Sequence, residues 1–215
     1  MRTLVVQTYP GANDAVFRHY PYWKKGGADR IVGLVTDDGA CKWPTEDMFV
    51  AGPNRYVDGA HLPNRLVQSL EIGIASGADD IVVIEYDAVF FKPLPKIVRD
   101  GIAMLPTGGS KPGYKCRRYF HNPWQMNAET AKQVIAAAKC MIALGEIENG
   151  MPDCFIGRLV DLTDIPTIEN AYTRYTQNTI QSPAQLEDAR KAYRAGVHAM
   201  HGIKTKEQLQ FIVSN

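Results

Sequence analysis

The feature that most limits the possible folds is a continuous β-branched run at residues 81–84, Ile-Val-Val-Ile. A strand with one solvated face alternates apolar and polar residues, so a run without a polar position predicts a strand buried on both faces. Strands of that kind belong to parallel sheets that are covered by helices on both sides. Shorter apolar runs at residues 3–7 and 31–36 predict two earlier strands of the same sheet.

Helix signals alternate with these strands in the first half of the chain. Residues 13–25 and residues 63–77 each carry a helical pattern that runs towards a glycine able to stop a helix. The order strand, helix, strand, helix, strand predicts an α/β chain with a Rossmann-like, mostly parallel sheet flanked by helices. A chain of 215 residues is expected to form a single domain.

The second half is less regular, and its elements are predicted mainly from capping residues. Residues 101–105 predict a further strand, and residues 107–119 predict a polar, basic loop. Three helices are expected from residues that can cap an N-terminus: Asn127, Ser182 and Thr205.

Composition excludes several classes of protein. A hydrophobic fraction of 45% and a charged fraction of 22% exclude disordered and fibrous chains, and a net charge of +1 gives no global argument for nucleic acid or membrane binding. The four cysteines lack a CxxC spacing, which is typical of reduced thiols. No apolar run approaches the roughly 20 residues of a membrane span, so we expect a cytoplasmic protein.

An acidic pair directly follows the buried run. Glu85 and Asp87 stand two residues apart, at the carboxyl end of the predicted strand, which is where open α/β sheets bind ligands. Carboxylate oxygens suit Mg²⁺ or Mn²⁺, and such an ion would hold the two phosphates of a nucleotide diphosphate. The alternative is an acidic turn that only ends the strand.

Two later segments contain further candidate residues. The sequence His201-Gly202-Ile203-Lys204 follows a short apolar stretch, and His198 is a competing histidine three residues earlier. Asp153 lies within residues 150–157, Gly-Met-Pro-Asp-Cys-Phe-Ile-Gly, where it could also cap a helix.

Together these segments resemble the GT-A glycosyltransferases, with Glu85-Tyr86-Asp87 as a variant of that family's DxD motif. The resemblance implies that Asp87 binds the divalent metal and that Glu85 contacts the nucleotide ribose or a metal-bound water. It implies a second metal ligand in His201 and a contact of Lys204 with the donor phosphates. Asp153 matches the general base of inverting members, although Pro152 replaces the usual acidic neighbour.

The same resemblance places an acceptor-facing loop before the helix at Asn127. Trp124 would stack on a sugar or base, and Gln125 and Asn127 would donate or accept hydrogen bonds; a core tryptophan with a capping asparagine is the alternative. The implied acceptor is a glycan, a protein or a modified nucleic acid. The basic residues of the 107–119 loop would form a flexible lid over phosphate or contact an anionic acceptor; a solvated loop is the alternative.

The donor side is predicted from topology. Residues 1–100 would form the half that binds the nucleotide-sugar, most simply a UDP-sugar, and residues 101–215 the acceptor half with the C-terminal metal and phosphate segment. Four residues near strand ends or at the start of the second helix are the candidate donor contacts: Thr8, Tyr9, Asp38 and Arg65.

Other nucleotide-binding classes lack their signatures. The turn after the first strand does not supply GxGxxG, and no GxxxxGK[ST] is present, which argues against a dinucleotide enzyme and a P-loop NTPase. A sugar nucleotidyltransferase and a non-catalytic nucleotide-sugar or glycan-binding module of the same fold remain the alternatives.

Overall fold

The computed structural model describes residues 1–8, 11–36, 42–51, 61–97, 99–107, 113, 115–147, 152–170, 173–175 and 182–214. The strands are β1 (Arg2–Gln7), β2 (Arg30–Thr36), β3 (Met48–Ala51), β4 (Asp80–Glu85), β5 (Val89–Phe90), β6 (Ile102–Thr107), β7 (Tyr119–Asn127), β8 (Thr167–Glu169), β9 (Thr173–Tyr175) and β10 (Ala199–His201). The helices are α1 (Asn13–Trp23), α2 (His61–Ala75), α3 (Ala128–Ala143), α4 (Pro152–Leu162), α5 (Pro183–Arg194) and α6 (Lys206–Val213).

Seven of the described strands form one sheet in the order β3-β2-β1-β4-β7-β6-β8. β1 pairs in parallel with both β2 and β4, whereas β7 runs antiparallel between β4 and β6. The predicted mostly parallel, Rossmann-like sheet is therefore confirmed. A smaller sheet of three described strands, in the order β5-β10-β9, lies beside it.

Strand β4 is buried on both faces, as its sequence predicts. Ile81 and Val83 pack in a cluster with α2, α3 and α4, while Val82 and Ile84 pack in another cluster with α1. The first of these clusters joins residues from both halves of the chain, so the halves share one core and form a single domain.

The three predicted helix caps are confirmed. Ser182 and Thr205 each form a capping box with a glutamine three residues later, and the side chain of Asn127 accepts a hydrogen bond from the backbone N–H of Thr130. Within the described part of the chain, no helix has the length and apolar character needed to span a bilayer.

The segment predicted as an acceptor-facing loop is instead strand β7. Its register places Asn127 opposite Asp80 and Trp124 opposite Val83, so the strand begins near the carboxyl end of β4 and ends near the amino end. Of the predicted 107–119 loop, residues 108–112 and 114 lie outside the described residues, while residue 107 ends β6 and residue 119 begins β7.

The sheet order fixes where a ligand would lie. From β1 the chain continues to β2 and β3 on one side, while β4 lies on the other, so the order of connection reverses between β1 and β4. In open α/β sheets the ligand crevice lies outside the carboxyl ends of the strands at such a point. Thr8 follows β1 there, and Glu85 ends β4.

Candidate functional site

Three ionisable side chains meet at this edge of the sheet: Glu85, Asp87 and His201. Nε2 of His201 lies 3.1 Å from Oε2 of Glu85 and 3.0 Å from Oδ1 of Asp87. In the part of the chain that the structure describes, these residues form a metal-type group whose ligand atoms all lie within 4.8 Å of one another. We call them the acidic–histidine cluster.

The turn after β4 holds the two carboxylates in place. Tyr86 donates its backbone N–H to the carbonyl of Gln7, which extends the β1–β4 pairing one residue beyond the strand, and Ala88 donates to Glu85. Asp87 is buried, whereas the side chain of Glu85 keeps 36% of its surface exposed. One carboxylate is therefore fixed inside the protein and the other faces the crevice.

The C-terminal segment brings the histidine to this turn. β10 pairs with β5, which begins two residues after Asp87, and the N–H of Ile203 donates to the carbonyl of Asp87 at 3.0 Å. His201 rather than His198 consequently reaches the carboxylates. The Nδ1 atom of His198 lies 2.6 Å from the carbonyl of Pro93 instead.

Electrostatics couple the buried pair. Burial alone would raise the pKa of Asp87, but the nearby charges of His201 and then Lys204 hold that pKa below its ordinary value. Burial alone would lower the pKa of His201, but Asp87 and then Glu85 raise it well above its ordinary value. The metal-free protein thus keeps His201 protonated between two carboxylates.

The cluster satisfies a chemical test for a cation site. The buried Oδ1 of Asp87 has no well-aligned hydrogen bond from the described residues, even though His201 Nε2 lies 3.0 Å away. Two carboxylates and an imidazole are ligands that Mn²⁺ accepts, and the carboxylates also suit Mg²⁺. A divalent ion would replace the proton of His201 as the positive partner of the carboxylates.

A second histidine next to this turn was not identified from the sequence. His19 on α1 is buried, and its Nδ1 lies 2.8 Å from the carbonyl of Tyr86, between the two acidic residues. Nδ1 donates to that carbonyl, so the hydrogen of the neutral ring is on Nδ1. Burial lowers the pKa of His19, with the charge of Arg18 acting in the same direction, so the ring is neutral at pH 7.

An adjoining carboxylate–histidine pair connects Asp153 to the cluster. Oδ2 of Asp153, in the first turn of α4, lies 2.7 Å from Nδ1 of His121 on β7. The centre of the His121 ring is 5.7 Å from that of His201. The structure thus places Asp153 beside the predicted metal residues, through a histidine that the sequence analysis missed because no local pattern links residues 121 and 153.

The three predicted acceptor-binding residues do not reach this cluster, which corrects the sequence prediction. Trp124 is fully buried in the core and donates its indole N–H to the carbonyl of Phe120. Gln125 is buried and bonds to Asp80, and Asn127 caps α3. Asn127 pairs with Asp80, five residues before Glu85, which is about 16 Å along a strand. The segment predicted as an acceptor-facing loop does reach the site, but as strand β7 and through its other end, at His121.

The predicted donor contacts are placed as follows. Thr8 lies at the end of β1, and its carbonyl accepts a hydrogen bond from Nη2 of the buried Arg65, which also donates to the carbonyl of Leu34. Arg65 therefore ties β1 to β2 at the crevice. Lys204 is exposed, and its charge acts on Asp87. Tyr9 and Asp38 lie outside the described residues.

No protein-family model and no curated protein sequence matches this chain.

Proposed function

We propose that this chain is a metal-dependent glycosyltransferase, which transfers a sugar from a nucleotide-sugar donor to a hydroxyl group of an acceptor. The observation that carries the proposal is the acidic–histidine cluster at the point where the sheet order reverses. A diphosphate bound there would meet a divalent cation held by Glu85, Asp87 and His201. A bound Mn²⁺ or Mg²⁺ would supply positive charge to the departing diphosphate.

We assign the residues on one side of the cluster to binding of the donor and those on the other side to the acceptor. Lys204 is exposed and its charge acts on Asp87, so we assign it to the donor phosphates. We propose that the nucleoside binds at the carboxyl end of β1, beyond Thr8. We propose a UDP-sugar as the donor.

The acceptor lies on the opposite side of the cluster in this proposal, next to the His121–Asp153 pair. A proton acceptor in this pair, on the side away from the diphosphate, leads to a single displacement, in which the anomeric centre inverts. NMR coupling constants of the product measure that configuration. A product that retains the donor's anomeric configuration contradicts this part of the proposal.

Hydrolysis of nucleotide-sugars tests the function without knowledge of the acceptor. The protein is incubated with a panel of UDP- and GDP-sugars in the presence of Mn²⁺, Mg²⁺ or EDTA, and released nucleoside diphosphate is measured by chromatography. We expect slow release from at least one donor, with metal only. Donor binding without any release would instead identify a non-catalytic nucleotide-sugar-binding module.

We also propose that the reaction takes place in the cytoplasm. The described cysteines, Cys116, Cys140 and Cys154, are all free thiols. Free thiols persist in reducing compartments, whereas secreted proteins tend to oxidise them to disulfides. Fractionation of cells that express the chain tests this assignment.

A further inference from the structure

We propose that His121 takes the proton from the acceptor hydroxyl and that Asp153 positions His121, rather than acting as the base itself. This inference rests on the proposed glycosyl transfer. The family resemblance assigns the base to Asp153, whereas the geometry points to the imidazole beside it.

The carboxylate of Asp153 is already engaged. Its Oδ2 lies 2.7 Å from Nδ1 of His121, and its side chain is only 16% exposed. Although this contact is not a well-aligned hydrogen bond among the described residues, a carboxylate this close to Nδ1 favours a hydrogen on that nitrogen, which makes Nε2 the basic nitrogen. The pair therefore presents a proton acceptor on His121.

His121 lies next to the cluster without belonging to it. Its ring centre is 5.7 Å from that of His201, with the ring planes inclined by 42°. It is outside the group of residues whose ligand atoms all lie within 4.8 Å of one another. That separation suits a group that contacts a substrate bound at the cluster better than a direct metal ligand.

The fold holds this histidine from two sides. Asn122, the next residue on β7, accepts a hydrogen bond from the N–H of Glu85 through Oδ1 at 3.2 Å, which ties the start of β7 to the acidic turn. On the other side, α4 packs so closely on the chain before β7 that Gly157 has no room for a Cβ beside the carbonyl of Arg118. Since Asp153 is in the first turn of α4, the same packing sets its position.

The chemical step balances with these groups. The acceptor oxygen forms a bond to the anomeric carbon as its proton moves to Nε2 of His121. The bond between the anomeric carbon and the diphosphate oxygen breaks, and its electron pair leaves with the nucleoside diphosphate. The carboxylate of Asp153 stabilises the imidazolium that forms.

The test uses the donor that the wild-type protein hydrolyses, with water as the acceptor. The variants are His121→Ala, Asp153→Ala, the double variant, and the exposed Asp164→Ala as a matched control. For His121→Ala we expect kcat to fall by about 10²–10⁴-fold while the donor KM and the Mn²⁺ affinity stay within a few-fold. Added imidazole should restore part of the lost kcat in His121→Ala and none in Asp87→Asn.

The double variant separates positioning from base catalysis. If Asp153 acts only through His121, the double variant is no slower than His121→Ala, because coupled residues are not additive. A kcat near the wild-type value in His121→Ala overturns the inference. Loss of Mn²⁺ binding in His121→Ala, comparable to that in His201→Ala, overturns it as well, because His121 would then be a metal ligand.

The outcome for the wild-type protein distinguishes the two proposals. A wild-type chain that hydrolyses no nucleotide-sugar contradicts the proposed function before any variant is made. Unchanged turnover in His121→Ala contradicts only the assignment of the proton acceptor.

Discussion

Asp87 occupies a position that a carboxylate tolerates only beside a positive group. Its side chain is 6% exposed, and burial of an unpaired charge is strongly unfavourable. His201 supplies the positive partner in the metal-free protein, at the cost of burying a second charge. A divalent ion in the same place would satisfy both carboxylates and release the proton of His201.

Replacement of Asp87 by asparagine should abolish metal-dependent turnover and leave the fold intact. Asparagine keeps the size of the side chain but removes the charge that an ion requires. We expect Mn²⁺ affinity, measured by calorimetry, to fall by more than the roughly 10–100-fold that loss of a supporting partner costs. Asp164→Asn, at an exposed position, should bind Mn²⁺ normally. Near-normal metal binding and turnover in Asp87→Asn would remove the basis of the proposed function.

His19 should make the protein less stable in mild acid. Burial lowers the pKa of this ring below its ordinary value of 6.5, despite the opposing charge of Asp87. Below about pH 6.5 the unfolded chain therefore binds a proton that the native state does not, so the free energy of unfolding falls as the pH falls.

The variant His19→Gln isolates this effect, because glutamine can still donate to the carbonyl of Tyr86 but does not titrate. Urea unfolding at several pH values between 5 and 8 should show the wild-type protein losing stability relative to the variant as the pH decreases. A difference between the two proteins that does not change with pH would show that His19 does not contribute to this acid sensitivity.

Among the helices and strands, the sequence predicted the features that depend on interactions between residues close together in the chain. The β-branched run of β4 and the capping residues Ser182 and Thr205 depend on neighbours within a few positions, and the structure confirms all three. The segment of β7 was assigned to a loop because the GT-A resemblance places an acceptor-facing loop before the helix at Asn127. Its identity as a strand comes from pairing with β4 and β6, which are far away in the chain.

In the candidate site, too, local patterns identified some residues, while others come together only through the packing of distant elements. The acidic pair is visible because both residues follow one strand, and the position of His201 beside it agrees with the motif-based prediction. The pairing of His121 with Asp153 left no signal in the sequence, because it depends on the packing of α4 against β7. Trp124 and Asn127 were assigned to an acceptor although they serve the core and a helix cap.

The contact of α4 with the chain before β7 should be sensitive to a single methyl group. In Gly157→Ala, the new Cβ would overlap the backbone carbonyl of Arg118, which cannot rotate away as a side chain would. We expect a loss of about 1–3 kcal/mol in the free energy of unfolding, or more if the helix cannot shift. Movement of α4 would also separate Asp153 from His121 and lower kcat.

A matched control is Gly73→Ala in α2. Its Cβ would lie 2.7 Å from Cγ2 of Ile81, a side-chain atom that has more freedom to move. This variant should lose less stability than Gly157→Ala and should keep the donor turnover of the folded protein. Equal losses of turnover in both variants would contradict a specific role for the α4 contact.

In the molecule as a whole, the amino ends of the central strands carry a buried ion pair, whereas their carboxyl ends carry the candidate site. At the amino ends of β1 and β4, Arg2 and Asp80 form a buried ion pair at 2.7 Å. Arg2 also donates to the carbonyls of Gly26, Leu94 and Pro95, so its donors are used within the protein. The acidic–histidine cluster lies at the carboxyl ends of the same two strands, where the side chain of Glu85 is partly exposed.

Loss of the buried pair should therefore reduce stability without a direct effect on the cluster. We expect Arg2→Met to lower the free energy of unfolding by about 3–5 kcal/mol, because Asp80 is left buried without its cation. Arg30→Met, which removes the exposed pair with Asp47, should cost only about 0–1 kcal/mol. Urea unfolding measures both values. Similar costs for the two variants would show that the buried pair contributes no more than the exposed one.

The hydrogen bond from Ile203 to the carbonyl of Asp87 affects the order in which parts of the protein fold during synthesis. During synthesis the acidic turn emerges long before its histidine, since 116 positions separate Glu85 from His201. A nascent chain can thus assemble β1, β2 and β4 while the centre is still open on one side. An ion that binds to the complete cluster more tightly than to Glu85 and Asp87 alone stabilises the state in which the C-terminal segment is docked. The affinity of the protein for the ion therefore shows whether β10 has joined the structure.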